Sequence, residues 1–376
     1  MSAPRFVHLR LHSEFSIADG TVRLDDAVAA AVADGMPALA LTDLANAFGL
    51  VKFYKGARAQ GVKPVFGCDV WLTHDAERDA PLRVLLLAQS RAGYLKLTDW
   101  LSRAYRGNQH RGRAELRRDW LAEGTGGLIA LSGGRDGDVG QALLQGNADG
   151  AVKAARDWAA LFPDRYYLEL QRAGRTDDDA LVAATVRVAG ETGLPVVATH
   201  PVQFLRPEDF RAHEARVCIA EGYVLADPRR PKRFTPDQYF KSQAEMATAF
   251  ADLPEALANS VAIAQRCNLV IPLGKNFLPD FPTPPGVTLD DHLRNEAAAG
   301  LERRLATAFP DPATRDAKRP EYTARLEFET KTIAQMGFAG YFLIVADFIN
   351  WAKGNGVPVG PGRGSGAGSL VAWSLG

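Results

Sequence analysis

Short apolar, β-branched runs recur along the first half of the chain: Phe6–Leu11, Ala38–Leu41, Pro64–Leu72, Leu82–Ala88, Leu128–Leu131, Tyr166–Leu170 and Pro195–Ala198. Between most of them lie Ala-rich stretches whose apolar residues return every three or four positions, at Leu24–Ala33, Ala47–Gln60, Tyr94–Tyr105, Gly150–Leu161 and Asp178–Glu191. Strands of this length alternating with such helices predict βα units and a mainly parallel sheet. Seven strands suffice to close a barrel, and an open doubly wound sheet fits the same pattern. After Thr199 the texture changes: Pro207–Ala220, Ser242–Phe250 and Pro254–Arg266 read as helices. "IPLGKNFLPDFPTPPGV" then carries five prolines, which no regular element tolerates. A domain boundary is placed at Asn268–Pro285. Beyond it come helices Leu289–Thr307 and Glu321–Met336, the apolar Tyr341–Trp351, and a glycine-rich segment followed by "SLVAW", which starts as a packed helix would.

The strand ends carry polar residues: His12, Thr42 and Asp43, Asp69, Gln89 and Ser90, Ser132 to Gly134, Glu169 to Gln171, Thr199 and His200. In parallel barrels that end is the functional face. Strand-to-helix loops also need polar caps, so single residues there say little and the set says more. The densest stretch is "HLRLHSEFSIADG", His8 to Gly20. A strand there would present His8, Arg10 and His12 on one face, like a metal site with a cation in one ligand position.

Composition narrows the class. The chain is 47% apolar and 23% charged, which suits a core-forming globular protein. Its 376 residues are long for one domain and suit two. Lys+Arg and Asp+Glu are both 44, so no global basic field points to nucleic acid. Cys68, Cys218 and Cys267 are odd in number and contain no CxxC, which argues against a disulfide scaffold and for a reducing cytoplasm. The first residues lack a signal-peptide apolar region and no run is long enough to span a membrane. The three cysteines read as core thiols, and His74, His110, His213 and His292 as surface histidines. Glu327 and Lys331 read as solvated charges, and Arg229 to Arg233 as either a phosphate-facing run or an exposed loop.

"VGPGRGSGAGS" allows close backbone approach, and successive N–H groups can form a nest around phosphate oxygens. Arg363 would add charge-assisted hydrogen bonds. The segment matches neither the P-loop nor GxGxxG. A phosphate-contacting loop and a flexible linker both remain open from its residues alone.

Together, "RFVHLRLHSEFSIADG", "GMPALALTDLANAFGLVKFY", "GVKPVFGCDVWL", "DLPEALANSVAIAQRCN", "FLPDFPTP" and "MGFAGYFLIVADFINWAKGNGVPVGPGRGSGAGSLVAW" resemble the N-terminal part of the α (catalytic) subunits of bacterial DNA polymerase III, in the same order. The resemblance implies an α/β fold. Residues 1–270 would form a PHP (polymerase and histidinol phosphatase) domain, a distorted (β/α)7 barrel, and 271–285 a Pro-rich junction. Residues 286–376 would be the first part of a nucleotidyltransferase-like polymerase palm. In that family the loop matching Gly364 and Ser365 contacts the incoming triphosphate, so Arg363, Gly364 and Ser365 are the implied nucleotide-phosphate residues. The family's catalytic aspartates, an Asp-x-Asp and a third position, lie beyond residue 376. The chain is therefore expected to be inactive alone and to bind no cofactor, with Mg²⁺ expected for the full-length polymerase.

Intact PHP domains hold two or three metal ions. By motif, His12, Asp19 and Asp43 keep ligand positions, with His200 beside two lost ones. Arg10 stands where a histidine belongs, Leu44 replaces a histidine, Asp69 a glutamate, and Pro201 and Gln203 an aspartate and a histidine. A guanidinium cannot become a ligand. Arg10, His12, Asp19, Asp43, Asp69 and His200 thus read as a vestigial site without metal, in which Arg10 pairs with Asp19, Asp43 or Asp69. The resemblance also implies partners: the ε proofreading exonuclease through the PHP domain, DNA and dNTP in the full-length protein, other replisome subunits through further regions, and no membrane. The rival reading is a metal-dependent PHP phosphoesterase or pyrophosphatase.

Overall fold

A computed structural model describes residues 6–275, 278–360, 362 and 365–376. The chain divides into two units, Met1–Ile271 and Pro272–Gly376. In the first, the strands are β1 (Ala38–Leu41), β2 (Lys63–Leu72), β3 (Leu82–Ala88), β4 (Gln109–His110), β5 (Arg113–Leu116), β6 (Leu128–Leu131), β7 (Tyr166–Leu170) and β8 (Val196–Ala198). Their order is β4-β5-β2-β3-β6-β7-β8, with β1 beside β2. The helices Leu24–Ala33 and Pro254–Arg266 begin and end where the apolar periodicity places them.

The sheet is mixed rather than mainly parallel. β3 runs antiparallel to both β2 and β6. Only residues 73–81 join β2 to β3, too few for the crossover that a parallel neighbour requires. The β4–β5 hairpin, absent from the apolar pattern, turns on Arg111 and Gly112 at φ 48° and 79°, the signature of a two-residue turn with both central residues left-handed.

The run at Phe6–Leu11 is not a regular strand, yet it closes the ring. The Ala40 N–H donates to His8 O (2.9 Å), Thr42 N–H to Leu11 O (3.1 Å) and His12 N–H to Val202 O (2.9 Å), which stitches the segment between β1 and the chain after β8. Its alternation breaks midway. Val7 and Leu9 pack inside the barrel with Val65, Leu85, Leu87, Ile129, Leu131 and Val197, while Phe6 and Leu11 join the outer layer. Arg10 also turns inward, to carboxylates on the same strand faces as Val65 and Tyr167. Two consecutive inward side chains exclude an ideal pleat.

The helix Pro254–Arg266 closes the barrel at the strand starts. Ile263 and Ala264 pack on the interior residues, Ser260 Oγ accepts from Val7 N–H (3.0 Å), and Ala264 O accepts from Lys63 Nζ (2.8 Å). Outside, Leu97, Trp100 and Trp158 cover Phe66, Cys68, Leu86 and Leu168. Each such side chain contributes roughly 1.5–3 kcal/mol on full burial. The opposite end, at most of the strand C-termini, stays open.

Among its described residues the second unit has helices as its only regular elements. Helices Leu289–Ala308, Pro312–Gln335, Ala339–Gly354 and Leu370–Leu375 share a core of Leu293, Leu301, Leu305, Leu326, Ile333, Leu343 and Val371. The second of these runs through Pro320 instead of starting after it. Asp311 caps the extension by accepting from Thr314 N–H (2.9 Å), and Arg319 ties it to Glu302 on the preceding helix (3.0 Å). These contacts offset the hydrogen bond that proline removes. Among the described residues no single helix is long and apolar enough to cross a membrane.

Candidate functional site

The open end of the barrel leads into a cleft of 1410 Å³, with Arg10, His12, Asp19, Arg83, Glu169 and Gln203 among its lining residues. Arg10 lies across its floor. Its Nε and Nη2 bond Glu169 Oε1 and Oε2 at 3.0 and 2.9 Å, and its Nη1 bonds Asp69. This is a bidentate fork on one carboxylate with the remaining arm on another. Arg83 approaches Asp69 as well, with Nε 3.1 Å from Oδ1 and Nη2 on Oδ2. All four groups are nearly inaccessible to solvent.

His12 bridges Asp69 to a further carboxylate, Asp19. Its Nδ1 lies 3.0 Å from Asp19 Oδ1 and its Nε2 3.2 Å from Asp69 Oδ2. Burial opposes a charge on His12, but Asp19 and then Asp69 outweigh it and raise its pKa to about 9. The imidazolium is thus a third cation in the network. Burial likewise works against the ionised forms of Asp69 and Asp19. Arg10, Arg83 and His12 overcome it at Asp69, and chiefly His12 at Asp19, so both stay below the ordinary carboxylate range.

Asp43 has a different surrounding. It accepts from Ser13 N–H (2.6 Å), Ser13 Oγ (2.9 Å) and Ser16 Oγ (2.9 Å), and so serves as the internal brace of the loop after the first run. Burial raises its pKa despite these donors. Of the three partners expected for Arg10, only Asp69 is met: Asp19 goes to His12 and Asp43 to the two serines. Leu44, Pro201 and Gln203 line the cleft, with the Gln203 amide 3.3 Å from His12 Nδ1.

His8 and His200 do not join this group, contrary to the one-face expectation for His8, Arg10 and His12. The parity break at Leu9 and Arg10 turns His8 outward, where its Nε2 donates to Lys241 O (2.7 Å) and its ring packs on Phe6 and Phe240. His200 lies beside it, ring centroids 6.2 Å apart, and among the described residues neither of its nitrogens has a partner at hydrogen-bonding geometry. Burial lowers the His8 pKa to about 4. Burial, then the neighbouring His8 and Lys241, holds His200 well below the ordinary range.

Two cluster members carry no metal-ligand motif. Glu169 sits inside the apolar run "YYLEL", and a charge in such a run signals a buried partner. It also accepts from Thr199 Oγ (2.8 Å) and Gly133 N–H (2.7 Å). Gly133 has φ +80°, and a Cβ there would lie 2.3 Å from Arg83 O, so glycine is required. Arg83 escapes notice because β3 is reversed. In a parallel sheet its strand-start position would lie far from the mouth.

Other expectations change as well. His213 is buried on helix Phe210–Glu221, not on the surface, and donates from Nε2 to Asp19 O (2.7 Å). The basic run at Arg229 to Arg233 turns onto local acids, Arg230 onto Glu214 (2.7 Å) and Arg233 onto Glu221 (3.2 Å), so most of its charge is not free for phosphates. Cys68, Cys218 and Cys267 are buried, and burial pushes the Cys267 thiol up to about 12. Arg363 and Gly364 lie outside the described residues. The backbone of Ser365 starts a short turn, Ser365–Gly368, that leads into helix Leu370–Leu375.

The mouth does not fit a divalent-metal cluster. Ligand carboxylates and neutral imidazoles must turn lone pairs to a shared ion. Here Asp69 and Glu169 are engaged by guanidiniums and His12 is protonated between two carboxylates. Among the described residues no three His, Cys, Asp or Glu side chains are grouped so as to hold a metal ion.

Comparison with known proteins agrees with this two-part organisation. The PHP domain family matches residues 8–173, and the bacterial DNA polymerase III alpha NTPase domain matches residues 291–376. DNA polymerase III subunit alpha of Neisseria meningitidis serogroup A is 55% identical over 380 residues, 100% of this chain and 33% of the relative. The Pseudomonas aeruginosa protein is 53% identical over 372 residues, 98% and 32%. That of Escherichia coli K12 is 51% identical over 375 residues, 100% and 32%. The chain thus spans about a third of the length of the curated relatives it matches. An amidohydrolase from Chromobacterium violaceum, 15% identical, matches 56% of this chain and 96% of its own at a TM-score of 0.38, too loose a likeness to argue from. A chain whose barrel and helical units both match, at half identity or more over nearly its whole length, belongs to the family of bacterial DNA polymerase III α subunits and corresponds to their N-terminal region.

Proposed function

We propose that residues 1–270 are a metal-free docking platform for the ε proofreading exonuclease of a replicative DNA polymerase, and that 286–376 begin its palm. The Pro-rich 271–285 joins them. In the palm segment, Arg363, Gly364 and Ser365 contact the triphosphate of the incoming dNTP. DNA, Mg²⁺ and further replisome subunits belong to the whole polymerase, in the cytoplasm.

The single observation that carries the platform reading is the Arg10–Asp69–Arg83 and Arg10–Glu169 network. It places two permanent cations where a phosphoesterase would need a dication, and it leaves Asp69 and Glu169 no role as ligands. A barrel built at this expense without hydrolytic chemistry is best used as a surface.

The test is elemental analysis and phosphoesterase assay of the purified chain, followed by pull-down with the exonuclease subunit. Capture of the exonuclease, with substoichiometric zinc, manganese and magnesium and no hydrolysis of phosphate esters or pyrophosphate, is the expected result. Two or more tightly bound metals per chain together with hydrolysis would instead establish a phosphoesterase.

A further inference from the structure

Helix Ala339–Gly354 is apolar on two opposite sides, and only Asp347 and Lys353 of its 16 residues are charged. One side is accounted for. Ala339 and Leu343 are buried with Leu293, Leu301 and Val371, and Phe342 packs against that core. The other side is bare. Tyr341, Phe348 and Trp351 are 53%, 55% and 64% exposed, with Ile344 and Val345 half-buried between them. Positions 341, 344, 345, 348 and 351 recur every three or four residues, so they share one face, opposite Ala339 and Leu343. Phe338 extends the row at its start, its ring centroid 6.4 Å from that of Tyr341.

Single apolar side chains on a surface need no explanation, but a contiguous aromatic row marks a contact. A helix apolar on both sides belongs inside a larger protein or a membrane. Sixteen residues rise about 24 Å, short of the ~30 Å of a hydrocarbon layer, so the face calls for protein. The row contains no Lys or Arg, which argues against a nucleic-acid strand as its occupant.

Two facts point to the occupant. Asn350 Nδ2 donates to Leu375 O at 2.8 Å and Lys353 Nζ to Gly376 O at 2.5 Å. Polypeptide running on from Gly376 would therefore emerge at the last turns of this helix, beside Trp351. The relatives also supply such polypeptide: the region matched here is their N-terminal third, so most of their length follows it. We propose that the Tyr341–Phe348–Trp351 face is an intramolecular docking surface, covered in the full-length polymerase by the chain that follows residue 376. This rests on the reading of residues 286–376 as the beginning of a palm.

The test places Phe348→Cys in the 376-residue chain and in the full-length protein and follows maleimide labelling of that cysteine by peptide mass spectrometry. Cys68, Cys218 and Cys267 are buried and compete little. Labelling should be at least about tenfold slower in the full-length protein, the effect of removing an exposed side chain from solvent. A second variant needs no label. Trp351→Asp should leave the melting temperature of the 376-residue chain within about 2 °C, as an exposed substitution does. In the full-length protein it should lower the melting temperature by more than about 5 °C or prevent soluble expression, because it buries a charge. Equal labelling in both proteins, with primer extension by the unaltered full-length protein, overturns the docking surface and leaves the palm reading standing. Protection already present in the 376-residue chain and lost on dilution overturns it in favour of a second copy. A soluble full-length protein that extends no primer overturns the palm reading, and the proposed occupant with it.

Discussion

His8 and His12 are four residues apart and both are fully buried, yet the barrel gives them different charge states. His12 faces Asp19 and Asp69 in the mouth and is held as a cation up to about pH 9. His8 faces Phe6, Phe240 and a backbone carbonyl in the outer layer and stays neutral down to about pH 4. Burial is common to both and disfavours charge in both, so the difference lies entirely in the neighbours. At the mouth the carboxylates Asp19, Asp69 and Glu169 are satisfied by two guanidiniums and an imidazolium. In the outer layer the histidine meets aromatic rings and a carbonyl instead, and behaves as a polar core residue.

The most disruptive way to break this contrast is Arg10→Ala. Asp69 would keep Arg83 and His12, but Glu169 would lose its only ion-pair partner among the described residues. Truncating one member of a buried pair costs about 3–5 kcal/mol, and the expected loss in urea-denaturation stability falls in that range. A loss below about 1 kcal/mol would mean that the network is not closed as described.

A second measurement sharpens the contrast on the alkaline side. The folded-state pKa of His12 lies above its ordinary 6.5, so the stability it adds is complete below pH 6.5 and is lost as pH rises through about 9. Urea-denaturation free energies should fall by up to about 3 kcal/mol across that window. His12→Gln should be less stable at pH 6.5 and nearly flat above it. The same slope in the variant would assign it to another group.

The smallest effect is expected on the acid side. The folded-state pKa of His8 lies below 6.5, so its contribution is complete above pH 6.5 and fades as pH falls toward about 4. By pH 5 this amounts to about 2 kcal/mol. His8→Phe gives up the bond to Lys241 O and starts lower, but its stability should decline less between pH 6.5 and about pH 5. His200 and His213 act in the same direction, so the acid limb should flatten without disappearing. An unchanged limb would place His8 outside the outer layer.

Much of this architecture can be read along the chain. Helix Leu24–Ala33 and strands at Ala38–Leu41, Leu82–Ala88 and Tyr166–Leu170 coincide with their apolar patterns, because strong local periodicity and tertiary packing ask for the same residues. The run at Phe6–Leu11 is misleading for the converse reason: ring closure over the mouth overrides its alternation. The site divides in the same way. Arg10 is visible as a cation between two histidines and Asp69 as an acid in an apolar run. Arg83 is hidden by the reversal of β3, and Glu169 carries only the mild signal of a charge in an apolar strand.

By itself the sequence determined the βα rhythm, the break at the Pro-rich stretch, the kinship with the polymerase family, and the presence of an arginine between two histidines. All of these reside in single residues or in windows of a dozen, where periodicity and side-chain chemistry act locally. Only the tertiary structure decided which carboxylates Arg10 meets, that Arg83 joins them, and that His8 and His200 turn away. Arg10 and Glu169 are 159 residues apart, and no local preference records a contact that exists only once a barrel closes.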